Sequence, residues 1–66
     1  MTGPATIRVR RPSGRLATFD AERVAIDAGL VTAVGSWRDD RQRKRRAYTW
    51  RRQVVEISWA REAVPA

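Results

Sequence analysis

From Trp37 to Trp50 the chain reads Trp-Arg-Asp-Asp-Arg-Gln-Arg-Lys-Arg-Arg-Ala-Tyr-Thr-Trp, and Arg51 and Arg52 follow at once. Eight of the fourteen basic side chains fall between Arg38 and Arg52. Guanidinium groups at this density displace the counterions condensed on a polyanion, and aromatic rings or guanidinium planes offer surfaces on which bases stack. The candidate nucleic-acid-binding residues are therefore Arg38, Arg41, Arg43, Lys44, Arg45, Arg46, Tyr48, Trp50, Arg51 and Arg52. Arg38 to Arg46 would form a finger at a hairpin tip, and Tyr48 is the best-placed exposed stacking residue. Trp37 and Trp50 flank the loop and can pair across two strands, a structural role that competes with base stacking. Arg8, Arg10 and Arg15 extend the basic surface if the first hairpin lies beside the loop, since alternating side chains on a strand stand about 7 Å apart, near the spacing of phosphates. The plain alternative is a charged loop that only keeps a hairpin solvated.

Other chemistry finds little support. There is no cysteine and no histidine, so a disulfide, a thiolate zinc site and the usual nucleophile–base pairs are excluded. Ser13, Ser36 and Ser58 stand at no suggestive spacing from Lys44 or a carboxylate, and an enzyme is not expected. Asp39 and Asp40 on a loop could hold a hard cation, but with arginine on both sides they read as internal charge balance. The four glycines form no phosphate-cradling loop. No cofactor is expected.

The elements that must carry the basic segment read as strands. Ile7 and Val9 alternate with Arg8 and Arg10, Pro12-Ser13-Gly14 is a turn, and Arg15 to Phe19 return as a second strand. Asp20 to Gly29 fits a short helix with Asp20 as N-cap, or a strand ending in a three-residue loop, Asp27-Ala28-Gly29. The alternation of Val24 and Ile26 favours the strand, with any helical turn confined to Asp20 to Arg23. Leu30 to Trp37 is the longest strand, and Gly35 near its end marks a bulge or bend. After the basic loop, 38–46, Arg46 to Trp50 resumes alternation, with Tyr48 and Trp50 on one face. Arg51-Arg52-Gln53 breaks it, as a single 3₁₀ turn. Val54 to Trp59 is the last strand, with Val55, Ile57 and Trp59 on the inward face.

This pattern predicts an all-β fold: a small antiparallel barrel or strongly bent sheet of five to six short strands, with room for one short helical turn. Closing such a sheet would remove exposed edges. The short turn before the final strand resembles SH3-like barrels, as an analogy of architecture only. One domain is expected over residues 5–62, with disordered ends at 1–4 and 63–66. Sixty-six residues without staples hold about 3–5 kcal/mol of net stability, so such a chain must pack well, self-assemble or fold on a partner.

The net charge of +7 and a sequence pI near 11.7 call for an anionic partner. Arginine outnumbers lysine thirteen to one, which looks like the coding bias of a high-GC bacterial genome. The bulk charge is discounted for that reason, and its clustering is not. The longest uncharged stretch, Ala28 to Trp37, is too short to cross a bilayer, and the N-terminus has no apolar secretory core. The expectation is a small basic nucleic-acid-binding protein of the bacterial cytoplasm or of a bacterial mobile element, with no membrane role. DNA is favoured over RNA as its ligand. The alternatives are an interaction module or inhibitor docking its basic hairpin on an acidic protein partner, and a self-assembling subunit that forms a homo-oligomer.

Overall fold

A computed structural model describes residues 3–60. They form five antiparallel strands and no helix: β1 (Ala5–Arg10), β2 (Leu16–Asp27), β3 (Leu30–Trp37), β4 (Arg46–Trp50) and β5 (Val54–Trp59). The order across the single sheet is β4-β3-β2-β1-β5, so the first four strands form a meander and the last returns beside the first. The expectation for 63–66 and for the first two residues lies outside the described residues. Pro4 is tied down: its carbonyl accepts a hydrogen bond from the Ala60 N–H at 3.0 Å, extending the β1–β5 pairing.

Chain reach forces the sheet to curl. Four inter-strand spacings would put the edges of a flat five-stranded sheet about 19 Å apart. The link from Trp50 to Val54 spans about 14 Å at most when fully extended. β4 and β5 lie on opposite edges, so those edges must approach each other at this end. No ladder joins them among the described residues, and the curled sheet therefore keeps two edges.

The long strand β2 makes the bend. It pairs with β1 from Leu16 to Ala21 and with β3 from Phe19 to Asp27, with a register shift in the latter between Ala21 and Arg23 that leaves Glu22 as the extra residue. A bulge sharpens local twist, and here it lets one strand serve two directions. It also turns both Glu22 and Arg23 outward while Ala21 and Val24 stay buried. No helical turn occurs over Asp20 to Arg23; the strand runs through. Gly35 faces the bulge, and a Cβ there would stand 2.1 Å from the Asp20 carbonyl oxygen, so only glycine permits this approach.

The β2–β3 hairpin is tighter than expected. Asp27 pairs with Leu30, leaving a two-residue loop of Ala28 and Gly29, both at positive φ (50° and 80°). That is a type I′ turn, whose twist matches the flanking strands; the three-residue loop is not formed.

The core lies on the concave face. Ile7 and Val9 of β1, Phe19, Ala21 and Val24 of β2, Val31 and Ala33 of β3, and Trp50 of β4 are buried. Ile57, Trp59 and Val54 of β5 cover its open side. Val55 does not join them. The β1–β5 register shifts between Arg8 and Val9, so Val9 pairs with Val54 while Arg8 pairs with Glu56. Val55 becomes the extra residue and is 51% exposed, and Val54 takes the inward place.

Candidate functional site

The basic loop leaves β3 at Trp37 and is folded by its own acids. The Asp40 carboxylate accepts hydrogen bonds from the N–H groups of Gln42 (3.0 Å) and Lys44 (3.1 Å). The Lys44 N–H, helped by that of Gln42, holds the Asp40 carboxyl below its usual range. The Arg43 N–H donates to the Asp40 carbonyl at 3.1 Å, and Arg43 itself sits at a φ of 52°. That left-handed residue turns its side chain back under the loop.

The loop is then latched to β2. Asp20 and Glu22 both point outward, and the period of two places them in line. Asp20 pairs with Ser36 across the ladder, so Arg38, two residues beyond Ser36, reaches it diagonally. Arg38 donates to both Asp20 oxygens, through Nη2 (2.7 Å) and Nε (3.3 Å). Arg43 donates Nη2 to Asp20 Oδ2 at 3.0 Å, and Arg45 donates Nε to Glu22 Oε2 at 2.8 Å. The Arg38 guanidinium above all, with Arg43 beside it, keeps the Asp20 carboxyl below its ordinary value despite partial burial.

The ten sequence-derived site residues thus divide. Arg38, Arg43 and Arg45 are exposed but ion-paired to β2. Arg41, Lys44, Arg46, Arg51 and Arg52 are exposed and make no ion pair among the described residues. Arg46 opens β4, so the loop proper ends at residue 45. Arg51 and Arg52 occupy a bent, non-helical link; the 3₁₀ turn is absent. There the Gln53 carbonyl accepts from the Arg10 N–H at 2.7 Å, and the Gln53 side-chain oxygen accepts from the Arg51 N–H at 3.1 Å.

Trp50 is a core residue and Tyr48 is half-buried. Both pack edge-on to the fully buried Phe19, with ring centroids at 5.2 and 5.4 Å, and Trp37 does so at 5.1 Å. Tyr48 and Trp50 stack on each other, with centroids 5.4 Å apart and planes 13° apart. Trp37 meets Trp50 at 5.9 Å, not as its cross-strand partner, because Val31 holds that place. The curl of the sheet brings the two indoles together.

Beside these rings lies a cleft of about 340 Å³. Val9, Trp37, Tyr48 and Trp50 line it, with Arg10 at the end of β1, Arg11 and Pro12 of the β1–β2 turn, and Gln53, whose carbonyl is hydrogen-bonded to the Arg10 N–H. The Arg11 guanidinium lies 4.4 Å from the centre of the Trp37 ring and 3.8 Å from Asp39. The first hairpin tip therefore does stand beside the start of the basic loop.

No protein-family model, curated protein or solved structure matches this chain. The site is read from its own residues. Sequence reasoning missed Arg11 and the cleft, which exist only once the first turn and β4 are brought together. It also missed Asp20 and Glu22 as anchors. Their signal was present: two acids spaced by two on a strand form one outward row suited to a cationic loop. The described residues hold no cluster of three or more potential metal ligands.

Proposed function

We propose that this chain is a nucleic-acid-binding module that contacts the phosphate backbone through Arg41, Lys44, Arg46, Arg51 and Arg52. One observation carries the reading: the nearby carboxylates are engaged in folding and latching the loop, and these five cations are exposed and make no ion pair among the described residues. A latched loop presents its charges with little further ordering entropy to lose on binding. Arg46 and Arg51 stand at the two ends of β4, about 17 Å apart along the strand, a span of several phosphates. The mechanism is counterion release, with aromatic and guanidinium planes adding contacts to bases.

A second reading, docking of the same cations on an acidic protein, is favoured by the apolar floor of the cleft. Its affinity would rest on buried anchors and respond weakly to salt.

Anisotropy titration of labelled single- and double-stranded DNA, with the triple variant Arg41→Ala, Lys44→Ala, Arg46→Ala in parallel, tests the proposal. Binding tighter than about 1 µM in low salt, weakened about tenfold or more in the variant, is expected. These three side chains make no ion pair among the described residues, so the variant keeps its circular dichroism. Absence of binding to either DNA in low salt contradicts the proposal.

A further inference from the structure

Within the nucleic-acid reading, on which this inference rests, we propose that the cleft between the β1–β2 turn and β4 takes an unpaired nucleobase, so that single strands are bound in preference to duplexes.

Size comes first. At about 340 Å³ the cleft lies at the lower end of small-molecule sites, suited to one ring system and its immediate linkage. Its lining is aromatic where a flat ring needs it: Trp37 and Tyr48 are only half-buried, above a floor of Trp50 and Val9. The Trp37–Tyr48 planes cross at 63°, so no slot exists between those two rings, and an incoming base must lie on an outer face.

Arg11 defines that face. Its guanidinium already lies over the Trp37 ring, 4.4 Å from the centroid, and a planar guanidinium can offer a face to another ring. The Arg11 Nε is buried and has no hydrogen-bond partner among the described residues. A buried donor without an acceptor is costly, and a base ring nitrogen, a base carbonyl or a phosphate oxygen would supply one. Asp39 does not: its contact, at 3.8 Å, is to Nη2.

Positive charge adjoins the cleft: Arg11 lines it, and Arg51 and Arg52 directly precede Gln53, another lining residue. Arg46 shares the face of Tyr48 by the alternation of β4. A base within a duplex shows only its edges to the grooves and cannot lay its ring in such a cleft.

The test compares three equal-length ligands in low salt: a single strand bearing bases, a single strand of abasic sugar–phosphate, and a duplex. Tryptophan fluorescence is read alongside anisotropy. The abasic strand and the duplex are expected to bind about tenfold more weakly than the base-bearing strand, which alone quenches the tryptophans. Arg11→Ala should lower affinity for the base-bearing strand by more than for the abasic strand, narrowing the gap between them. Equal binding of base-bearing and abasic strands overturns the cleft proposal while leaving the phosphate reading in place. Binding of none of the three overturns both. Quenching by an acidic peptide, with none by the single strand, assigns the cleft to a protein partner and overturns the proposal. The wild-type comparison of ligands holds even if a variant folds poorly.

Discussion

At the scale of single residues, Gly35 and Asp20 each hold two parts of the molecule together. Gly35→Ala would push a methyl group to within 2.1 Å of the Asp20 carbonyl, against backbone that cannot swing away. Overpacking of this kind costs about 1–3 kcal/mol or more, a large share of the few kcal/mol available to so small a domain. Urea unfolding of the variant should show a correspondingly lower midpoint. Asp20 is the shared anchor of Arg38 and Arg43, and in the folded chain its carboxyl is held below the ordinary aspartate value of 3.8. The unfolded chain therefore takes up the proton first as pH falls. The stabilisation is fully present above about pH 4 and is lost as pH drops through the depressed folded value. Wild type should thus be modestly more stable than Asp20→Asn at pH 7, and the gap should close in acid below the range of 3.8. A gap that persists in acid would show that the latch works through something other than the carboxylate charge.

At the scale of elements, the β2–β3 turn is close to its best sequence and misses by one residue. Ala28 holds a φ of 50°, which asparagine tolerates better than alanine, and Asn-Gly is the preferred pair for a type I′ turn. Ala28→Asn should raise stability by about 0.5–1 kcal/mol, seen as a higher thermal midpoint with unchanged circular dichroism. Elements also divide what was legible in the sequence from what was not. β3, β4 and β5 begin and end where alternation, β-branched residues and aromatics place them, because these runs are bounded by turn residues or charge clusters. β2 was harder. Asp20 and Glu22 interrupt its apolar pattern and mimic a helix start, yet they face outward to anchor a loop about twenty residues ahead. Gly35 marked the place of the β2–β3 bulge, but not that Glu22 of β2 is its extra residue; the β1–β5 bulge was invisible, since an extra residue in one strand is set by its partner's register. That is why Val54, not Val55, points inward. The basic segment was legible as a cluster. Its division into latching and free cations was not, because that depends on acids from a different strand.

At the scale of the whole molecule, a curled sheet with a small aromatic core carries a rigid basic loop at one end of β4 and two arginines at the other. The cleft lies against the concave rings, where the first hairpin turn closes over Trp37. This arrangement divides the arginines into a set ion-paired to β2 and a set without ion-pair partners among the described residues, to which the proposed function gives ligand contact; composition alone cannot reveal that division. The dependence of single-strand affinity on salt tests that division most directly. Each phosphate contacted contributes about −0.7 to the slope of log K against log salt for a single strand. Five free cations therefore predict a slope of about −3.5, reduced to about −1.4 in the variant Arg41→Ala, Lys44→Ala, Arg46→Ala. A wild-type slope near zero, or one that the triple substitution leaves unchanged, would contradict the account.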